Sequence, residues 1–190
     1  MNPHGIGIYH KRPAILRPWD PRAVTVAQQV IALIREAVPE AEGEVTVEHV
    51  GSSAVPGCAG KGVIDLLVMY PPGARGLERA KAALDGIGFQ RQVSRDPFPE
   101  ERPMRVGSYA FDGDEFRLHA HVVAADAAEA AEFLAFRDAL RADRALLEAY
   151  LTEKRSILAA GVSDSADYSV IKGAFIQRWL AMRGGGKEAR

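Results

Sequence analysis

The chain reads as an α+β protein: a mixed β-sheet with flanking helices and a helical C-terminal segment. Three observations predict this. The run "GVIDLLVMY" at 62–70 is almost continuously apolar, as expected of a central strand covered on both faces. Asp112-Gly113-Asp114 separates two strand patterns and is a strong hairpin signal. From Ala127 onward the strand patterns give way to three helical patterns in succession.

The elements follow in order. Asp20 and Pro21 read as an N-cap and first helical position, and Val24, Ala27, Val30, Ile31 and Ile34 carry a helix to about Val38. "EVTVEHV" alternates β-branched residues and predicts a strand ending at Gly51, with "GVIDLLVMY" as the next strand, closed by Pro71-Pro72-Gly73. "ARGLERAKAALDGIG" is an amphipathic helix stopped by Gly86 or Gly88. "FQRQV", "MRVGSYAF" and "FRLHAHVV" are strands, and the helical patterns run over 127–142, 143–160 and 165–182, with Gly161 between the second and third. The start of the chain and the tail after Arg183 are expected to fray. The expected organisation is a core over 1–126, helices over 127–182 packed on it as part of one globular unit, and a flexible tail at 183–190.

At 190 residues the chain suffices for one well-packed domain. Its 24 basic and 25 acidic residues nearly cancel, which gives no reason to expect a nucleic-acid groove or a membrane-surface patch. No window has the apolar length of a spanning helix, and "MNPHGIGIYHKRP" lacks the apolar core of a signal peptide. The single cysteine, Cys58, excludes an internal disulfide framework and fits a reducing compartment. A soluble cytoplasmic protein is the expectation.

Four segments can carry chemistry. A Gly-Ser pair directly after a strand, Gly51-Ser52, lets the backbone approach a ligand, and its amides and hydroxyls can hold phosphate oxygens; the same pair also occurs in ordinary loops. Asp65 lies inside an apolar strand, where a carboxylate is costly unless something binds it. Metal ligation, a hydrogen-bonded anchor and a salt bridge to Lys61 all answer that need. In "FRLHAHVV", strand alternation puts Arg117, His119 and His121 on one face, so the two imidazoles can share one cation or simply face solvent. With Asp65 they make a two-histidine, one-carboxylate set, provided the two strands are neighbours. His49 and Glu48 point to opposite faces, and His49 reads equally as a structural hydrogen-bonder or a ligand.

The helices add cations. Tyr150 and Lys154 stand one turn apart, as do Tyr168 and Lys172, and Arg137 and Arg141. Each pair alone is an ordinary solvated stripe. Two Tyr-x-x-x-Lys pairs on successive helices suggest an aromatic for a base or a helix and an ammonium for a phosphate, with Lys61, Arg102 and Arg105 able to join a polyphosphate pocket. No GxxxxGK[ST] loop, GxGxxG fingerprint or GxSxG elbow occurs, and Cys58 in its Gly-rich loop reads as incidental.

"EHVGSSAVPGCAGKGVIDLLV", "FRLHAHVV" and the late Tyr-x-x-x-Lys pairs resemble the GrpB family, also called UPF0157. The family's first motif runs similar to H-[IV]-G-S-T-[AS]-V-P-G-[LM]-x-[AG]-K-P-[IV]-[IL]-D-[IL]. The resemblance covers about Leu16 to Trp179, with Ser53 for the usual Thr, Cys58 for a larger aliphatic residue and Gly62 for the usual Pro. The family in turn resembles the nucleotidyltransferase superfamily typified by DNA polymerase beta and the antibiotic nucleotidyltransferases.

The resemblance implies a nucleotidyltransferase-like mixed sheet. It also implies metal-dependent transfer of a nucleotidyl group from an NTP to an acceptor, with a nucleotide or another phosphorylated small molecule as partner. Val50-Gly51-Ser52 and Asp65 fit the superfamily's spacing, whereas the second acid position is Leu67, and the later strand offers His119 and His121 where an acid is expected. On this reading Asp65 and Ser52 are catalytic, and Asp65, His119 and His121 hold a divalent metal (Mg²⁺, Mn²⁺ or Zn²⁺). Gly51, Ser52, Ser53, Lys61, Arg117, Tyr150, Lys154 and Lys172 bind the nucleotide. Three carboxylates would bind two Mg²⁺ ions, whereas one carboxylate with two imidazoles favours one borderline transition ion such as Zn²⁺, Mn²⁺ or Ni²⁺. A catalytically silent nucleotide-binding protein and a His/His/Asp metal-dependent hydrolase are the alternatives.

Overall fold

The apolar run at 63–70 forms the strand around which the rest of the chain is arranged. A computed structural model describes residues 5–38 and 45–185. Its elements are β1 (Ile6–Gly7), α1 (Arg22–Ala37), β2 (Thr46–Val50), β3 (Val63–Tyr70), α2 (Ala74–Gly86), β4 (Gln90–Arg91), β5 (Met104–Phe111), β6 (Asp114–Ala124), α3 (Ala128–Ala142), α4 (Arg144–Ala159) and α5 (Ser165–Gly185). The sheet order is β1-β5-β6-β3-β2, with β4 pairing β5. β3 and β6 run parallel, and every other pairing is antiparallel. The fold is thus α+β with a central mixed sheet and flanking helices, as expected.

β3 is covered on both faces because its alternate residues enter two cores. Ile64, Leu66, Val68 and Tyr70 pack with α1 and α2, against Val26, Val30, Ile34, Ala80 and Leu84. Leu67 and Met69 pack on the other face with Val50, Val123 and Ala130. Each fully buried aliphatic side chain there contributes about 1.5–3 kcal/mol of transfer free energy. The hairpin between β5 and β6 turns at Asp112 and Gly113, both at positive φ, which matches the strand twist. Asp20 caps α1 by accepting the Arg22 amide at 2.9 Å, and Pro21 stands one residue ahead of the helix.

Two expectations about the ends need correction. The start is not frayed from residue 5 onward: Ile6 and Gly7 pair with Tyr109 and Ser108, and Ala14 N donates to Ser163 O at 3.0 Å. The alternation "GIGIY" was the available strand signal there. At the other end α5 continues past Arg183 to Gly185, so part of the expected tail is helical; residues 1–4 and 186–190 lie outside the described set. "FQRQV" contributes only Gln90 and Arg91 to the sheet. Among the described residues no helix is long and apolar enough to cross a membrane.

β2 ends in a tight turn that determines where Asp65 can sit. Gly51 has φ +70, and a Cβ built on it would fall well inside van der Waals contact with Asp65 Oδ2 and 2.9 Å from Asp65 Cγ. Only glycine meets both conditions. Two residues back, His49 Nε2 lies 2.9 Å from Ser53 Oγ, and burial pulls its pKa down to about 4. His49 is therefore a structural hydrogen-bonder held neutral.

Gly51→Ala is expected to cost about 2–4 kcal/mol, from left-handed backbone strain and overpacking together. A shift in urea midpoint measures it, and a near-neutral change would refute the close approach. His49 gives a pH dependence of defined sign. Its folded pKa lies below the unfolded value of about 6.5, so the unfolded chain binds the extra proton first. The neutral-histidine contribution is complete above about pH 6.5 and is lost as pH falls towards 4, by roughly 1–3 kcal/mol in all. Urea unfolding at pH 7 and pH 5 should show that loss, and His49→Gln should flatten it; equal slopes in both proteins would rule His49 out as its source.

Candidate metal and phosphate site

The parallel register of β3 and β6 sets Asp65 opposite His119 and Leu67 opposite His121. The adjacency that a two-histidine, one-carboxylate set requires is therefore present. His119 Nδ1 lies 3.4 Å and His121 Nε2 3.7 Å from Asp65 Oδ1, and one donor atom from each of the three residues lies within 4.8 Å of the others. Burial alone would raise the Asp65 pKa, but contact with His119 and His121 outweighs it and holds the carboxyl well below the usual carboxylate range. Burial lowers the pKa of His121.

The surroundings of each imidazole bear on metal binding. His119 Nε2 lies 3.0 Å from Tyr9 Oη, an oxygen that can accept the ring N–H and leave Nδ1 as the ligating nitrogen. His121 Nδ1 lies 3.4 Å from Arg102 Nη1, a group that can only donate, which favours the His121 proton on Nε2 facing Asp65. Ligation through that nitrogen requires Arg102 to move aside. Arg102 is itself held by Glu129 and stacked 4.8 Å from the centre of the Phe98 ring. The donor set fits one borderline transition ion. It does not fit a pair of Mg²⁺ ions, because the second acid position is Leu67, 0% exposed in the core under α3.

The segment from Gly51 to Lys61 begins against Asp65, and four side chains and one backbone pairing hold it. Trp19 Nε1 donates to Ser53 O at 2.9 Å, and Arg141 Nη2 donates to Ala54 O at 2.8 Å. Arg17 pairs with Gly60 through the backbone, and Arg117 donates to Lys61 O. Lys154, 0% exposed, donates to Ala59 O and lies 3.1 Å from Ser52 Oγ and 3.2 Å from Cys58 Sγ. Ser53, Lys61 and Ser52 thus all sit in the arch that begins at Gly51.

The helical pairs are inside the protein and are not solvated stripes. Tyr150, Lys154 and Tyr168 are buried, with the Lys154 ammonium 4.3 Å from the centre of the Tyr150 ring. Lys172 is half-buried, and Tyr150 holds its ammonium above the ordinary lysine value. Lys61 reaches Ser169 Oγ at 2.9 Å and lies over the Tyr168 ring; burial, and then Lys172, bring its pKa down to about 8. Burial likewise lowers Lys154 to about 8. Lys61 and Lys172 both act electrostatically on Asp65, so positive charge lies beside the carboxylate, a condition that favours an anionic ligand.

Two expected phosphate contacts, Arg117 and Arg105, make other contacts, and so does Arg137 of the helical arginine pair. Arg117 is buried beneath the arch and used by its backbone. Arg105 points to the opposite face of the sheet, paired with Ala120 in register, and its buried guanidinium binds Asp85 at 2.7 Å and Glu100 at 3.2 Å. Arg137 donates to Glu48 and to His49 O at the edge of β2. Conversely, the sequence reading missed Tyr9, because its segment read as frayed, and missed Phe98 and Phe133, whose rings lie 5.9 Å and 5.1 Å from that of His121.

Comparison with known proteins follows the same lines. A UPF0157 protein of Streptomyces coelicolor is 34% identical over 129 residues, 68% of this chain and 63% of its own. One of Pseudomonas aeruginosa is 33% identical over 70% of this chain and 53% of its own length, so the match spans between half and two thirds of these two relatives. The crystal structure of the conserved protein GrpB from Enterococcus faecalis superposes with a TM-score of 0.58 and 21% identity, over 87% of this chain and 99% of the other. A looser likeness, at TM-score 0.47 and 13% identity over 70% of this chain and 42% of the other, is to the Cid1 poly(U) polymerase, and at that level it carries no argument. The model of the GrpB protein family matches residues 13–182, and the chain belongs to that family.

Proposed function

We propose that the protein binds a nucleoside triphosphate with one divalent transition ion and transfers its nucleotidyl group to an acceptor. The observation that carries this reading is the convergence of the Gly51–Lys61 arch, the Asp65–His119–His121 set and the cations Lys61, Lys154 and Lys172 on one place. Asp65, His119 and His121 would hold the ion. When bound, it neutralises phosphate oxygens and polarises the phosphorus they surround. The absent side chain at Gly51 lets the start of the arch lie directly against Asp65, and Lys172 supplies a charge that Tyr150 keeps protonated. Lys154 keeps the arch in one shape, so little reorganisation accompanies binding. A second reading, binding without turnover, is favoured by Leu67, whose buried side chain leaves no second carboxylate beside Asp65.

Calorimetry with ATP, GTP, CTP and UTP in the presence of Mn²⁺ should show one bound nucleotide for at least one of the four. Absence of heat with all four, under Mn²⁺, Mg²⁺ and Zn²⁺ alike, would remove the reading. Pyrophosphate release then separates transfer from silent binding. Metal analysis of the dialysed protein should find one ion per chain, with affinity reduced by about 100-fold or more in the His119→Ala, His121→Ala double variant. Ligation through His121 needs its neutral imidazole, which burial favours, so affinity should be retained at neutral pH and fall in acid. A double variant that keeps its metal would place the ion elsewhere.

A further inference from the structure

We infer that Ser52 is a nucleophile that takes the nucleotidyl group covalently, with Lys154 as its general base. This rests on the reading of the site as a nucleoside triphosphate site and deepens it. A hydroxyl attacking phosphorus needs a group to take its proton. Asp65 is turned to His119 and His121, with Oδ1 3.4 Å and 3.7 Å from their ring nitrogens, and belongs to the set that would hold the ion. The position beside it that could hold another carboxylate is the buried Leu67. The amine that meets a hydroxyl in the arch is Lys154 Nζ, 3.1 Å from Ser52 Oγ.

The geometry around that amine accommodates both of its forms: an ammonium donates to all three neighbours, and the neutral amine is satisfied as well. A neutral amine has two N–H groups and one lone pair. Lys154 Nζ has three neighbours to match: Ala59 O, the Cys58 sulfur at 3.2 Å and Ser52 Oγ. The carbonyl and the sulfur can take the two N–H groups, which leaves the lone pair for the Ser52 hydroxyl proton. Among the described residues no carboxylate pairs with Lys154, and burial brings its pKa down to about 8, so a useful fraction is unprotonated at neutral pH. The groups that bear on its titration are Cys58 from the arch, Lys172 from α5, and Tyr150 and Arg155 from its own helix. Ser52 itself is half-buried and directly follows Gly51, which touches Asp65.

The step balances without an outside reactant beyond the triphosphate. Ser52 Oγ forms a bond to the α-phosphorus, and the bond from that phosphorus to the bridging oxygen breaks. Pyrophosphate leaves with the electron pair, and the serine proton passes to Lys154 Nζ. The product is a nucleotidyl-serine from which an acceptor can take the group.

Intact and tandem mass spectrometry of the full chain incubated with ATP, GTP, CTP or UTP and Mn²⁺ tests this. The expected result is a mass gain of one nucleotidyl group located on Ser52 and absent in Ser52→Ala. The adduct should form about tenfold faster per pH unit up to roughly pH 8 and then level off, and Lys154→Arg should slow it about 100-fold or more at pH 8. The wild-type pH profile keeps the test valid should a Lys154 variant fold poorly. A calorimetrically bound nucleotide with no adduct, an adduct on another residue, or a rate flat from pH 6 to 8 overturns the inference and leaves the binding reading standing. Absence of any bound nucleotide overturns both.

Discussion

A carboxylate in the middle of an apolar strand has to be compensated, and most of this structure is arranged around that one requirement. Asp65 interrupts β3, a strand whose two faces both enter cores. The parallel pairing of β3 with β6 brings His119 and His121 to it, and the positive φ at Gly51 brings the backbone down onto its other oxygen. The imidazoles supply the stabilisation that burial withholds, which is why the carboxyl remains ionised. Had β3 and β6 been out of register by one residue, both histidines would face the α1/α2 core and the charge would be unmatched.

The arch between Gly51 and Lys61 is the second consequence. Backbone that leaves a sheet to pass over a charged site cannot use ladder hydrogen bonds, so its carbonyls need other donors. Here those donors are indole, guanidinium and ammonium groups: Trp19 on Ser53 O, Arg141 on Ala54 O, Lys154 on Ala59 O and Arg117 on Lys61 O. The C-terminal helices then have a physical reason to be where they are. α3 and α4 deliver two of those cations, while Phe136, Leu140, Tyr150 and Leu151 seal Val55 and Cys58 beneath them. Several residues that look like phosphate ligands in the sequence are therefore spent on holding the loop.

This explains what was legible in the chain beforehand. Periodicity located α1, β3, α2 and the three C-terminal helices, because each has a long apolar stripe. The Gly51–Asp65 spacing and the HxH pair pointed to one site, since strand alternation alone decides which side chains share a face. Arg105 was misassigned because nothing local reveals the register of β5, and its register sends the side chain to Asp85 and Glu100. Tyr9 was invisible for a related reason: β1, which ends two residues before it, is two residues long and is held by pairing with β5. The burial of Lys154 could not be read either, since a Tyr-x-x-x-Lys pair looks the same on a wet face as under a loop.

Leu67 is the residue through which fold and chemistry constrain each other. It shares a face with Asp65 and stands opposite His121, so an acid there would join the ligand set directly. The same side chain is packed with Val50, Met69, Val123 and Ala130 under α3, where an unpaired carboxylate would cost several kcal/mol. The space needed for a second metal ion is thus occupied by the contact that seats α3 on the sheet. Reintroducing an acid would have to loosen α3, and α3 carries the arginines that hold the edge of β2 and the turn over Asp65. On the proposed reading, this construction leaves a place for one metal ion and an anion beside it. Any further base must come from outside the sheet, and the helix that meets the arch from that side is α4, through Lys154.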